Sequence, residues 1–159
     1  MRLIIASVGR LKQGPEAELA SRYLDRAEAL GRKLGLTLSQ QESVEGRGER
    51  ASERRASEAQ ALRKLIPEGA ILIALDERGE NLTSEQFAQS LRLWRDGGEK
   101  SVAFLLGGPD GLAGELRGQA RQTIAFGAMT WPHQFARIML AEQLYRALAI
   151  LSGHPYHRA

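Results

Sequence analysis

The stretch AILIALDERGENLTSEQFAQSLRLWRDGGEKSVAFLLGGPDG, residues 70–111, decides the fold. It begins with a continuously apolar run, 70–75, and contains a second such run, Ser101–Leu106, just before its final five residues. Apolar runs of this length predict strands that are covered on both faces of a sheet. Between them, residues 84–94 carry apolar side chains at helical spacing, and Thr83 precedes them as a candidate N-cap. A strand, a helix and a strand in this order predict a parallel βαβ unit.

The rest of the chain continues this alternation on both sides of the central stretch. Further strands are predicted at Arg2–Val8, 36–43 and 123–126, and further helices at Pro15–Lys33, 47–65, 112–121 and 132–151. This order predicts an α/β fold with a mostly parallel sheet and helices on both faces. The chain has 159 residues and no internal repeat, so we expect one domain over residues 1–159.

The composition excludes several classes of protein. Hydrophobic residues make up 43% and charged residues 26%, which is too apolar for a disordered chain. The absence of cysteine excludes a disulfide framework, a Cys-ligated zinc site and a thiol nucleophile. The first apolar run is too short to span a membrane, and no cleavage site follows it. We therefore expect a cytoplasmic protein with no membrane partner.

The net charge of +3 is unevenly distributed. Residues 1–111 hold 17 of the 22 basic and 17 of the 19 acidic side chains, so the excess lies in residues 112–159. That segment also holds all three histidines, and its five cations are all arginines, which suit bidentate phosphate contacts. The imbalance predicts that the C-terminal third faces a polyanion, although a solvated surface is an equally simple explanation.

Three predicted strands are followed by loops of unusual chemistry. The first strand ends in LDERG, residues 75–79, the second in GGPDG, residues 107–111, and the third in GAMTWPH, residues 127–133. Ligands of open α/β sheets lie beyond the carboxyl ends of the strands. We therefore expect these three loops to form one site.

The glycine-rich loop has two interpretations. Gly107, Gly108 and Gly111 let the main chain approach a ligand closely, or they simply form a tight turn. The spacing matches neither a P-loop nor a dinucleotide fingerprint. A neutral pocket lined by main chain remains, which suits an adenosine group, and Asp110 is predicted to cap the following helix.

The C-terminal segment offers further candidates. Trp131 is either a core residue or an exposed ring that stacks on a base. The tail contains His154, Tyr156 and His157, which favours substrate binding or proton handling over a metal site because no cysteine or carboxylate is adjacent. The last helix has an apolar stripe that covers its own sheet or packs against a second copy. The stripe consists of Leu140, Leu144, Ala147, Leu148 and Leu151.

Three segments carry a resemblance to a known family: LDERGENLTSEQFA at 75–88, FLLGGPDGL at 104–112 and MTWPHQFARIMLAEQLYRALAILSGHPYH at 129–157. The chain resembles the ribosomal RNA large subunit methyltransferase H family of the SPOUT class. The resemblance implies an α/β fold with a C-terminal trefoil knot and a homodimer that needs no metal. It further implies methyl transfer from S-adenosyl-L-methionine to N3 of a pseudouridine in 23S rRNA, within the ribosome.

The resemblance also implies the site residues. The cofactor contacts fall on Leu75, Gly107, Gly108, Gly127, Ala128, Met129, Thr130, Trp131 and Pro132. Trp131 stands where relatives often carry a smaller apolar residue. For removal of the N3 proton the clustered tail predicts His157 and Tyr156 as catalytic residues, and Arg137, His154 and Arg158 as contacts to RNA.

Two other classes of function compete with this prediction. A non-catalytic ribosome-binding module would share the basic C-terminal face but would not bind S-adenosyl-L-methionine. A nucleotide-binding α/β protein would use GGPDG for phosphate and would prefer ATP or GTP. Binding of S-adenosyl-L-methionine separates the enzyme from both.

Overall fold

The computed structural model describes residues 1–157 and contains five strands and five helices over that range. The strands are β1 (Arg2–Val8), β2 (Thr37–Ser43), β3 (Ile71–Asn81), β4 (Ser101–Leu106) and β5 (Gln122–Ala125). The helices are α1 (Pro15–Lys33), α2 (Ala51–Leu65), α3 (Ser84–Asp96), α4 (Gly114–Gln119) and α5 (His133–Ser152). Strands and helices alternate along the chain as the sequence predicts.

The five strands form one parallel sheet in the order β2-β1-β4-β3-β5. Strand β1 shows how the sheet buries both faces: Leu3 and Ile5 point into one core cluster, whereas Ile4, Ala6 and Val8 point into another. Successive side chains of a strand alternate between faces, so a continuous apolar run fits only a strand that is covered on both sides. The predicted α/β class is confirmed.

Helices cover both faces in a pattern that the strand order explains. α3 and α5 pack with the first cluster and α1 packs on α5, whereas α2 and α4 pack with the second cluster. The connections β1 to β2 and β3 to β4 step in one direction across the sheet, and the other two step in the opposite direction. Because βαβ crossovers share one handedness, opposite steps place their helices on opposite faces.

Strand β3 continues beyond its predicted end at Leu75. It pairs with β5 in one register up to Leu75 and in a shifted register from Glu80 onwards. Gly79 lies directly against β5, since a Cβ there would be 2.5 Å from the carbonyl carbon of Ile124. Residues 76–78 therefore project from the carboxyl end of the sheet, between the two segments of β3 that pair with β5. The trefoil knot stays a prediction from the family resemblance.

Helix α5 packs into the interior of its own chain. Leu140, Leu144, Ala147 and Leu148 of its apolar stripe are fully buried, and only Leu151 is partly exposed. The stripe therefore covers this chain's own sheet and α1, and it gives no argument for a second copy.

The predicted N-cap of α3 is confirmed, because Thr83 Oγ1 accepts a hydrogen bond from the Gln86 amide at 3.2 Å.

Candidate active site

A cavity of about 920 Å³ lies at the carboxyl ends of β3, β4 and β5. The three loops singled out by the sequence form its walls, as expected for an open parallel sheet. Of the predicted cofactor contacts, those that line the cavity are Leu75, Gly107, Gly108, Gly127, Met129, Thr130, Trp131 and Pro132. Ala128 is exposed and does not line it.

Residues 107–111, here called the glycine turn, present main chain to this cavity. The Gly111 amide donates to the Gly108 carbonyl oxygen at 2.9 Å, and Gly111 has a left-handed φ of 80°. A Cβ on Gly107 would lie 2.5 Å from the main chain of Gly111. The segment is thus both a tight turn and a cavity wall, and glycine at position 107 is required by the close approach of the main chain.

Asp110 does not cap a helix, so that prediction is wrong. Helix α4 begins four residues later with Ala113 at its N-cap position. The Asp110 carboxylate instead accepts two hydrogen bonds from Arg54, at 2.7 and 3.1 Å. These hydrogen bonds and the arginine charge lower the pKa of Asp110.

Asp76 places a second carboxylate on the cavity wall. It accepts hydrogen bonds from the Arg78 amide at 3.0 Å and from the Arg117 guanidinium at 2.9 Å. Burial on its own would raise the pKa of Asp76, but the two hydrogen bonds outweigh it and the net pKa lies below its ordinary value. The side chain is therefore an anion at neutral pH.

The loop after β5 is held by side chains of the β3 extension. The Gly127 amide donates to Asn81 Oδ1 at 2.9 Å, and the Thr130 hydroxyl donates to Glu77 Oε2 at 2.6 Å. Trp131 is 44% exposed, and its indole N–H donates to the Phe126 carbonyl oxygen at 3.1 Å. Trp131 is therefore a surface residue whose orientation is fixed by its own loop.

Arg137 is not at the surface, and its predicted contact with RNA is wrong. The residue is 1% exposed, and its Nη1 pairs with Glu42 Oε1 at 2.5 Å. Its Nη2 donates to the carbonyl oxygens of Val8 and Gly9 at 3.1 and 2.9 Å. Burial lowers the pKa of Arg137, and the nearby Glu42 carboxylate opposes this change. Arg137 joins α5 to the ends of β1 and β2.

The C-terminal tail packs on α3 and α5 of its own chain. Tyr156 donates its hydroxyl hydrogen to Glu142 Oε1 at 3.0 Å, and the Arg146 guanidinium lies 4.9 Å from the Tyr156 ring centre. His157 Nε2 lies 2.8 Å from Glu85 Oε1. Burial and the Glu142 carboxylate raise the pKa of Tyr156 well above its ordinary value.

The structure separates the tail from the cavity of the same chain. Neither Tyr156 nor His157 lines the cavity, and His154 is an exposed side chain of the same tail. Arg158, the remaining predicted RNA contact, lies outside the described residues. The predicted catalytic residues and the predicted cofactor residues are thus brought to different parts of one protomer.

The cavity also contains side chains that the sequence analysis did not assign. The titratable ones among them are Arg55, Asp76, Glu77, Arg78, Arg117 and His133. Asp76 and Arg78 had a sequence signal, since they directly follow a buried strand. Arg55 had none, and Arg117 had only its place in the basic C-terminal third. Each lies on a helix and reaches the cavity only through packing.

Two negative findings concern metals and membranes. Among residues 1–157, no three His, Asp or Glu side chains lie close enough together to hold a metal ion. Over the same range, no helix has the length and apolar character needed to cross a bilayer.

Comparisons with known proteins give the family to which the chain belongs. A family model described as "Predicted SPOUT methyltransferase" matches residues 1–157. The ribosomal RNA large subunit methyltransferase H of Bradyrhizobium diazoefficiens is 56% identical over 160 residues, which is 100% of both chains. The protein of the same name from Nitrobacter hamburgensis is 54% identical over 159 residues, 99% of both chains.

A solved structure shows the same fold at low identity. The structure of a probable methylase family protein from Haemophilus influenzae Rd KW20 superposes with a TM-score of 0.52 and 12% identity, over 99% of this chain and 70% of that one. Sheet, cavity and family model together define a methyltransferase of the SPOUT class. Within that class, the full-length identities show that the chain belongs to the ribosomal RNA large subunit methyltransferase H family.

Proposed function

We propose that this protein transfers a methyl group from S-adenosyl-L-methionine to N3 of a pseudouridine in 23S rRNA of the large ribosomal subunit. The observation that carries the proposal is the cavity of about 920 Å³, walled by three loops that the family resemblance assigns to the methyl donor. The relatives named ribosomal RNA large subunit methyltransferase H support rRNA as the substrate.

The residues present fit S-adenosyl-L-methionine. The glycine turn presents main-chain groups to the cavity, which suits an adenosine bound through amides and carbonyls. The carboxylates of the wall, Asp76, Glu77 and Asp110, stand beside Arg55, Arg78 and Arg117, so a donor that carries both a sulfonium and a carboxylate meets charges of both signs. When bound, the donor supplies an electrophilic methyl group, so this reaction requires no metal and no covalent enzyme intermediate.

The protein's own task is orientation and proton removal. Main-chain contacts from the three loops would hold the donor, and the reacting atoms would need to approach to about 3–3.5 Å. N3 of a uracil ring carries a proton at neutral pH, so a protein group must accept that proton or stabilise the resulting anion.

We assign proton handling to the tail of a second copy of the chain. Within one protomer the tail packs away from the cavity, whereas a symmetric dimer can place one tail beside the other cavity. We assign His157 as the base, because an imidazole nitrogen can accept a proton at neutral pH and its Nε2 is oriented by Glu85 Oε1 at 2.8 Å. Tyr156, whose pKa is raised, remains protonated and donates a hydrogen bond.

Exposed apolar side chains near the cavity support a homodimer. Met129 is 76% exposed, and Trp131 and Phe135 are also large and exposed at the start of α5. Large exposed apolar side chains grouped in one short segment favour an interface. Sedimentation of the protein at micromolar concentration tests this, and a monomer under those conditions contradicts the composite site.

The function is tested by incubating the protein with labelled S-adenosyl-L-methionine and ribosomes that lack the modification. We expect label on one nucleotide of 23S rRNA, at N3 of a pseudouridine. Calorimetry with S-adenosyl-L-methionine and with ATP provides the control. Binding of ribosomes without donor binding indicates a non-catalytic module, and preference for ATP indicates a nucleotide-binding protein.

A further inference from the structure

Arg54 connects three segments next to the candidate active site. Its Nε and Nη2 donate to the two carboxylate oxygens of Asp110, and its Nη1 donates to the carbonyl oxygens of Gly48 and Glu49, both at 3.0 Å. The guanidinium therefore joins α2 to the glycine turn and to the loop after β2. A bidentate arginine–carboxylate pair fixes orientation as well as distance.

Two other side chains of α2 contact the same turn. Arg55 Nη1 donates to the Asp110 carbonyl oxygen at 3.3 Å. Glu58 is buried, its Oε1 accepts the Gly46 amide at 2.9 Å, and a Cβ on Gly108 would lie 3.0 Å from the same oxygen. Helix α2 thus contacts the glycine turn near both ends of the turn, at Gly108 and at Asp110.

The placement of Arg54 is unfavourable for the helix that carries it. Arg54 is the fourth residue of α2, and a positive charge in the first turn opposes the helix dipole. Asp110, for its part, caps no helix. Neither residue therefore stabilises the helix that carries or follows it. The contact between Arg54 and Asp110 accounts for the positions of both.

We propose that Arg54 is a positioning residue for the methyl donor. By holding Asp110, Arg54 keeps the glycine turn in its donor-binding shape. This inference rests on the proposed function, because it requires that the turn contacts the donor. The turn contains three glycines, whose main chain loses more conformational freedom on ordering than that of other residues. A turn that is already ordered binds its ligand without that additional cost.

Calorimetry with S-adenosyl-L-methionine tests the proposal on the full-length protein. We expect Arg54→Met to raise the dissociation constant about tenfold, which corresponds to 1.4 kcal/mol. Asp110→Asn is expected to weaken binding in the same direction. Because both residues act through one contact, the double variant is expected to bind no more weakly than the weaker single variant.

A matched control is available on the same helix. Arg63 forms an equally short pair with Glu115, 2.7 Å, and neither residue lines the cavity. Arg63→Met is expected to leave the dissociation constant unchanged, even if its melting temperature falls as much as that of Arg54→Met. In steady-state assays Arg54→Met should raise the KM for S-adenosyl-L-methionine and leave the KM for ribosomes unchanged.

Hydrogen exchange without any ligand provides an independent measurement. The Gly111 amide, which donates to Gly108, should exchange faster in Arg54→Met and at the normal rate in Arg63→Met. Equal donor affinity in the wild-type protein and Arg54→Met would overturn the inference and leave the proposed function intact. Failure of the wild-type protein to bind the donor would overturn both, and the exchange data would still report whether Arg54 orders the turn.

Discussion

Arg137 is the largest side chain that the fold buries completely. A buried guanidinium needs a paired charge and bonded N–H groups. Here Glu42 pairs with Nη1, and two carbonyl oxygens accept from Nη2. The Arg137 Nε has no partner among the described residues, so the site is not fully satisfied. The residue therefore contributes to folding rather than to RNA binding.

Replacing Arg137 tests this assignment. We expect Arg137→Met to lower the free energy of unfolding by about 2–4 kcal/mol, because it leaves Glu42 and the ends of two strands without their partner. Urea denaturation measures the change. Arg146→Met, which removes a more exposed cation from the same helix, is expected to cost less than about 1 kcal/mol, and equal losses would contradict the buried role.

Asp76 makes stability depend on pH in a defined direction. Its pKa is lowered in the folded protein, so the unfolded chain binds the proton more readily and stability rises with pH between the two pKa values. The contribution is complete above the unfolded pKa of about 4 and is lost as the pH falls through the folded value. Asp76→Asn should therefore flatten the rise of unfolding free energy with pH below about pH 4, and an unchanged slope would show that Asp76 is not stabilised in its ionised form.

At the scale of the elements, the cavity depends on where a strand ends and a turn begins. Strand β3 leaves its first register after Leu75 and resumes at Glu80, which exposes the charged residues between them to the cavity. The glycine turn follows β4 at once, with its main chain packed on itself. The first feature comes from strand pairing and the second from the close approach of main chain within the turn, and side chains line the cavity between them.

Substitution of alanine for two glycines, Gly107 in the glycine turn and Gly118 in α4, should change stability in opposite directions. Gly107→Ala introduces a Cβ 2.5 Å from main chain, so we expect the melting temperature to fall and affinity for S-adenosyl-L-methionine to drop at least about tenfold. Gly118→Ala places a Cβ in open space on α4 and should stabilise the protein by up to about 1 kcal/mol. Thermal melts and calorimetry check both, and normal donor binding by Gly107→Ala would exclude the glycine turn from the site.

At the scale of the whole molecule, one protomer places its tail and its cavity apart. Tyr156 and His157 are held by Glu142 and Glu85 on helices that pack against the sheet face opposite α2 and α4. The tail is therefore anchored on α3 and α5 of its own chain rather than folded over its own cavity. A shared site between two copies reconciles this placement with the predicted roles.

Mixed dimers test this arrangement directly. Gly107→Val should disable the cavity and His157→Ala should disable the tail, so each homodimer is expected to be inactive. A one-to-one mixture that exchanges subunits should recover about a quarter of wild-type activity, because half of the dimers then contain one intact site of two. Methyl transfer to ribosomes measures it, and a mixture without activity would mean that each protomer uses its own tail.

The sequence by itself determined the elements and the place where three loops form a cavity. Apolar runs and helical spacing report local structure, and the carboxyl ends of parallel strands must share one edge, so three loops could be assigned to one cavity. What only the tertiary structure decided is which polar groups meet: Arg117 with Asp76, 41 residues away, Arg54 with Asp110, 56 away, and Arg137 with Glu42, 95 away. No periodic pattern encodes such contacts, because they arise when separate helices pack on one sheet and bury charges that look solvent-exposed in the sequence.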